Sequence, residues 1–134
     1  MPIIGINFTS ITAKTEDKIV DGNINVNSTP TIKNVSKKKI PIFDADDVLA
    51  IEFNFVIDYD PKIGEIVFEG DVLYKTSKAE SILKSWKKEK KLDDEVTLDV
   101  LNGLLRRCMT RAIDIAMELR LPPPVRFPTV TKKE

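Results

Sequence analysis

The side chains that could do chemistry in this chain are carboxylates, lysines and one thiol, because its 134 residues include no histidine. Imidazole is the common acid, base and metal ligand near neutral pH, so its absence excludes Ser-His-Asp sites, Cys-His sites and zinc sites with histidine ligands. The five glycines form neither a Gly-x-x-x-x-Gly-Lys-Ser/Thr loop nor a Gly-x-Gly-x-x-Gly turn. We therefore expect a protein that is not an enzyme and that uses no cofactor and no metal.

Five aspartates flank one strand-like segment; they are Asp44, Asp46, Asp47, Asp58 and Asp60. Paired carboxylates can transfer protons or hold a hard cation. The residues that follow them are apolar strand residues, however, where a calcium loop requires further oxygen ligands and a glycine. A solvated loop at the entry to a strand is the interpretation that we favour.

A lysine-rich segment, residues 84–91, surrounds the single tryptophan, Trp86. Basic residues interleaved with an aromatic ring can contact phosphates and stack on bases, which makes a nucleic-acid-associated protein one candidate. The alternative is that the lysines solubilise an exposed helix while Trp86 fills its narrow apolar stripe. Because 21 basic and 21 acidic residues cancel, no net positive field attracts nucleic acid, and we favour the alternative.

These residues are positioned by a strand-rich half, residues 1–76, and a helical half, residues 77–121. The strongest period-two alternation, from Ile51 to Ile57, predicts a central strand, and the pattern from Ile66 to Tyr74 predicts its hairpin partner. Weaker alternation predicts a first strand over residues 3–13 and two short strands on either side of Pro30, a residue that favours a sheet edge or a bulge. Gly70 marks a second predicted bulge.

The helical half contains a short lysine-rich helix and a long amphipathic helix. Ser77 is the predicted N-cap of the first helix and Thr97 that of the second. The lone cysteine, Cys108, lies in the apolar stripe of the long helix and cannot form an internal disulfide, so we expect it in the core. That stripe, which we expect to pack on the sheet, consists of Leu101, Leu104, Leu105, Cys108, Ala112, Ile115, Ala116 and Leu119.

The order of these elements predicts one α+β domain over residues 1–134, an antiparallel sheet of about four strands with a long C-terminal helix packed on one face. Pro122, Pro123 and Pro124 end the long helix and favour an extended tail, residues 122–134, along the surface. No apolar run approaches the roughly 20 residues needed to cross a bilayer, and the first residues lack a leader pattern. We expect a cytoplasmic protein without a membrane span.

Large apolar side chains on the predicted strands offer a surface for polypeptide binding. Most of them must form the core beneath the long helix, but a surface that is incompletely covered would bind an extended or apolar polypeptide segment. The predicted binding residues are Phe8, Phe43, Phe53, Phe55, Trp86, Leu121 and Phe127.

The order of the predicted elements and several short sequence segments resemble those of the SecB-type export chaperones. The similar segments are Ile6-Asn7-Phe8, Ala45-Asp46-Asp47-Val48 before the central strand, the hairpin strand Glu65 to Tyr74, Arg107-Cys108-Met109-Thr110 within the long helix, and the proline-containing segment Leu121 to Phe127. The chain departs from the family in one insertion, the lysine-rich helix between Ser77 and Leu92.

The resemblance implies an ATP-independent chaperone that holds non-native polypeptides, assembles as a dimer or a dimer of dimers, and serves protein export. It also implies a contact between acidic residues of the exposed sheet face and a partner, for which Glu65, Glu69 and Asp71 are the candidates. A third function stays open beside the chaperone and the nucleic-acid-associated protein, namely a subunit dedicated to one assembly partner.

Overall fold

The computed structural model describes residues 3–16, 22–38 and 48–125, together with residues 128, 130 and 132. Its elements, in chain order, are β1 (Ile3–Thr15), β2 (Asn25–Lys37), β3 (Val48–Asp60), β4 (Gly64–Lys75), α1 (Ala79–Glu89) and α2 (Asp94–Glu118). The strands form one antiparallel sheet in the order β1-β4-β3-β2. The predicted α+β class, with four strands and a long helix on one face, is confirmed.

The β3–β4 hairpin forms the centre of the sheet, as the alternation of its residues predicts. Phe55 lies opposite Phe68 and Ile57 opposite Ile66, so these apolar side chains share the face that the helices cover. The other face, which we call the open face, carries the intervening residues, with Glu52 opposite Asp71. The face that the helices cover is therefore the buried core, and the open face carries acidic side chains together with other residues.

The edge strand β2 runs without a break through Pro30, where two short strands were predicted. Pro30 lies opposite Phe55, and its missing N–H is tolerated because only one side of β2 pairs with another strand. The only register shift of this pair falls between Ile32 and Asn34, leaving Lys33 as an extra residue. The predicted edge position of the proline is confirmed, and the predicted division of the strand is wrong.

A close approach of β1 to β4 occurs at Gly70. A Cβ atom there would collide with the backbone carbonyl oxygen of Asn7, so only glycine fits without movement of the strand. Of the two register shifts of this pair, the one beside Gly70 lies between Phe8 and Ser10, which places the bulge on β1 rather than on β4 as predicted. Phe8 and Phe53 are the residues paired with Gly70 on its two sides. Because Gly70 has no side chain between them, their rings meet edge to face, with centroids 6.1 Å apart.

The long helix α2 begins one turn earlier than the predicted cap at Thr97, with Asp93 at its N-cap. Asp94 and Glu95 occupy its first turn, where negative charge interacts favourably with the helix dipole. Likewise, Lys78 rather than Ser77 precedes α1, and no side chain caps that helix. Both predicted caps are wrong, since α2 begins four residues before Thr97 would allow and α1 is preceded by the residue after Ser77.

One row of α2 faces the sheet, and its members are spaced four residues apart: Val96, Val100, Leu104, Cys108, Ala112 and Ala116. Burial raises the pKa of the Cys108 thiol to about 12, as expected for a packing residue. Leu105, predicted to face the sheet, is 38% exposed. No helix in the described part of the chain is long and apolar enough to span a membrane.

Candidate functional site

The predicted polypeptide-binding residues do not lie together on an open surface. Phe53, Phe55, Trp86 and Leu121 are buried in the hydrophobic core, whereas Phe8 is half-buried at its margin. Phe43 and Phe127 lie outside the described residues. The aromatic residues of the sheet therefore form a packed layer beneath the helices.

Trp86 fills the apolar stripe of α1 and is not presented to solvent. Its side chain is 7% exposed, and its indole N–H donates a hydrogen bond to the Oδ1 atom of Asn34, 3.3 Å away. The ammonium of Lys90 lies 5.6 Å from the ring centroid. The ring is thus engaged from several sides, which confirms the packing interpretation and removes the stacking surface that nucleic-acid binding would use.

The two flanks of α2 differ in chemistry. Gly103 faces Ile3, and the guanidinium of Arg107 lies 5.6 Å from the centroid of the Phe8 ring, so this flank points toward β1. The opposite flank, about half a turn away at 100° per residue, is an apolar row spaced four residues apart. We call this row the apolar flank, and it consists of Leu101, Leu105, Met109, Ile113 and Met117.

The apolar flank is only partly covered by the rest of the chain. Leu105 is 38% exposed and Met117 is 69% exposed. The flank of α2 that carries Gly103 and Arg107 lies over β1, which is an edge strand of the sheet. The apolar flank, on the other side of α2, therefore points across the sheet toward β3 and β2. The helix-side row of β2 is half-buried rather than fully covered; its members are Val26, Ser28, Pro30 and Ile32. We call the flank and this row together the α2–β2 surface.

An extended strap, residues 121–125, bounds one end of the α2–β2 surface. The hydroxyl of Tyr59 donates a 2.6 Å hydrogen bond to the carbonyl oxygen of Pro122, and desolvation by burial raises the pKa of this hydroxyl. A cavity of about 380 Å³ lies between Pro122–Val125 and residues Ile24 to Val26 of the sheet edge. At the other end of β2, α1 packs beside Val35.

The three acidic residues predicted to bind a partner share the open face. Glu65 forms an ion pair with Lys14 at 3.2 Å, and Asp71 accepts a 3.4 Å hydrogen bond from the side-chain amide of Asn7. Glu69 and Asp71 line a cavity of about 160 Å³ that Glu52 also lines. Within the described ranges no cluster of three or more acidic, cysteine or histidine side chains is arranged to hold a metal ion.

Comparison with solved structures gives a match over nearly the whole chain. It is the SecB-like chaperone of Mycobacterium tuberculosis in complex with a ChAD peptide from the HigA1 antitoxin, with a TM-score of 0.56 over 96% of this chain and 88% of that chain. The fold is SecB-like. The sequence identity is 13%, so the likeness concerns the SecB-like fold and not the activity. Neither a protein-family model nor a curated protein matches the sequence.

The sequence does not distinguish the apolar flank, because Leu101 and Leu105 also fit the row that packs on the sheet. The signal was present, however. Five apolar residues recur every fourth position from 101 to 117, in parallel with the buried row from Val96 to Ala116. The buried row already packs on the sheet, so the exposed members of the second row, Leu105 and Met117, indicate an apolar surface that the described residues leave partly uncovered.

Proposed function

We propose that this protein is an ATP-independent chaperone that holds non-native polypeptide segments on the α2–β2 surface. The observation that carries the proposal is the exposure of the apolar flank, where Leu105 and Met117 are open to solvent on a helix whose sheet-facing row is already buried. The SecB-like fold supports it, because a protein of that fold is known in complex with a peptide.

The composition of the apolar flank suits a binder of many sequences. Met109 and Met117 contribute unbranched, polarizable side chains that adapt to differently shaped partners. Each buried Å² of apolar surface contributes roughly 25 cal/mol, so one large side chain of a client that is covered here adds about 2 kcal/mol. No nucleotide is needed for binding of this kind, because the driving force is the removal of apolar surface from water.

The predicted binding residues take different parts in this proposal. Phe53 and Phe55 form the supporting layer, and Phe8 lies at the margin of the core. Leu121 leads into the strap, whose hydrogen bond to Tyr59 holds it at the end of the α2–β2 surface. Phe43 and Phe127 remain predicted contacts of the client.

We further infer that the open face contacts a partner through Glu65, Glu69 and Asp71, as the resemblance to export chaperones implies. Of these, Glu69 and Asp71 have no lysine within ion-pair distance in the described residues, so their charges are available to a basic partner. Assembly as a dimer or a dimer of dimers, a cytoplasmic location and a role in protein export belong to the same proposal.

The test is light scattering of a chemically unfolded client that is diluted into buffer without ATP, with wild type, Met117→Glu or Leu98→Glu. Met117 is 69% exposed on the apolar flank, whereas Leu98 is 61% exposed, lies one turn before the first residue of that flank and is not one of its members. Both variants add the same charge at similar exposure. We expect wild type and Leu98→Glu to suppress aggregation of several unrelated clients, and Met117→Glu to suppress it less.

Other results would contradict the proposal. Equal suppression by both variants would remove the apolar flank from the binding surface. Protection of one protein alone would identify a dedicated assembly subunit instead of a general chaperone. A nucleic-acid-associated function is not supported, because the ring of Trp86 is buried and hydrogen-bonded.

A further inference from the structure

A second cavity, of about 400 Å³, lies between α1 and the end of β2, and none of its residues belongs to the α2–β2 surface. Val35 and Leu83 supply its apolar floor, and both are among the buried residues of the core. Lysine side chains line the rim. The residues around the cavity are Val35, Ser36, Lys37, Glu80, Leu83, Lys84 and Lys87.

The charges at this rim are unbalanced. Lys37 is paired with Glu80. Lys84 and Lys87 form no ion pair with any residue that the structure describes. They belong to a run in which residues 84–91 hold five lysines and one glutamate, in a chain whose overall charge is zero. The local field at the cavity is therefore positive, although the molecule as a whole has no net charge.

We propose that this cavity docks an acidic polypeptide segment, which places one apolar side chain against Val35 and Leu83 and carboxylates against Lys84 and Lys87. The two lysines are three residues apart on one helix, so their Cβ atoms are about 5–6 Å apart. Carboxylates at alternate positions of an extended segment are separated by about 6.6 Å, and those one turn apart on a helix are similarly close. An acidic segment with an apolar residue matches both the spacing and the floor.

Two other occupants fit the cavity less well. The phosphates of a nucleic acid could pair with the lysines, but Trp86, the aromatic ring nearest to them in the sequence, is buried and cannot stack on bases. The apolar floor of the cavity also has no charged group that would bind a phosphate. A second copy of this chain would bring the acidic residues of its open face. Those residues lie on strands that are paired within the sheet, so they do not form a free segment that could enter a concave site.

The experiment measures fluorescence anisotropy of a short labelled peptide, rich in glutamate around one central leucine, titrated with the full chain. Lys84→Glu/Lys87→Glu is compared with Lys88→Glu/Lys91→Glu, which changes the charge of the same segment equally outside the cavity. We expect the first pair to weaken binding at least about tenfold and the second pair far less. Replacing the peptide's leucine with serine should also weaken binding about tenfold, because the apolar contact is lost.

Each contrary result overturns the proposal in a distinct way. Equal losses in the two variants would show diffuse attraction to the helix, and equal affinity for the serine peptide would remove the apolar contact. Tighter binding of a single-stranded oligonucleotide that displaces the peptide would identify nucleic acid as the occupant. Self-association that Lys84→Glu/Lys87→Glu abolishes would identify a second copy. Aggregation suppression by this variant should equal that of wild type, which separates the docking cavity from the proposed chaperone surface.

Discussion

Two glycines, Gly70 and Gly103, are expected to respond to alanine substitution in opposite directions. At Gly70 the added Cβ atom collides with the carbonyl oxygen of Asn7 and lies 2.9 Å from the Cα atom of Phe8. Both neighbours are backbone atoms, so no change of rotamer relieves the contact, and β1 must move away from β4. Losing two ladder hydrogen bonds at about 1 kcal/mol each, with part of the burial of Phe8, gives about 3 kcal/mol of destabilisation.

Gly103 presents the milder case. Its added Cβ atom lies 2.5 Å from the Cδ1 atom of Ile3, which is the far end of a flexible side chain and can rotate aside. Alanine is also favoured over glycine within a helix by about 0.8–1.0 kcal/mol, and Gly103 lies in the middle of α2. We expect Gly103→Ala to change the free energy of unfolding by between zero and about 1 kcal/mol in the stabilising direction.

The assay is urea unfolding of both variants and wild type, followed by far-UV circular dichroism and by the fluorescence of Trp86, which is buried in the native state. The midpoint should fall for Gly70→Ala and stay level or rise for Gly103→Ala, with similar slopes. If Gly70→Ala unfolds within about 0.5 kcal/mol of wild type, the close approach of β1 to β4 does not constrain this position, and the reasoning fails.

Three further predictions concern hydroxyl and thiol groups. Burial and the hydrogen bond to Asp99 raise the pKa of Tyr74 from 10.0 to about 12, so the unfolded hydroxyl ionises first and stability falls as pH rises from 10 to 12. Tyr74→Phe should flatten that fall in the urea midpoint, and an unchanged pH profile would refute this role. Tyr59→Phe removes the hydrogen bond to Pro122; it should cost about 1 kcal/mol and speed hydrogen exchange at the amides of Leu121 and Val125, since the three prolines between them have no N–H, whereas exchange at the wild-type rate would show that other contacts hold the strap. Burial raises the pKa of Cys108 to about 12, so a thiol reagent should modify the native chain only as fast as it unfolds, and prompt modification without urea would contradict this.

Much of the fold was predictable because the sheet and the long helix have clear periodicities. The alternation from Ile51 to Ile57 identifies the central strand, and the stripe through Leu104 and Cys108 identifies the helix that covers it. Boundaries were less predictable. Pro30 weakens the pattern of β2 in the sequence, but an edge strand does not need its N–H, and this is a property of the sheet and not of the residue.

The candidate site was less predictable than the fold, because burial depends on how elements pack together. The sequence favours a core position for Phe53 and Phe55 but is also compatible with a binding surface, and only the position of α2 decides between the two. For the same reason Leu105 fitted the sheet-facing row. A rotation of about 100° about the helix axis separates it from Leu104, and the crossing of helix and sheet determines which of them is covered.

The two edges of the sheet are unequal, and this limits how the sheet can grow. The edge strand β2 contains Pro30 and the extra residue Lys33, and α1 packs against it where the indole of Trp86 reaches Asn34. The edge strand β1 is interrupted by register shifts near its start but runs regularly from Ser10 to Thr15. A strand from another chain can therefore pair along β1 far more readily than along β2. In a pair of chains joined edge to edge at β1, the two remaining sheet edges would both be β2 strands, which pair poorly with a further strand. Sheet extension would therefore end with the pair and not continue into a fibre.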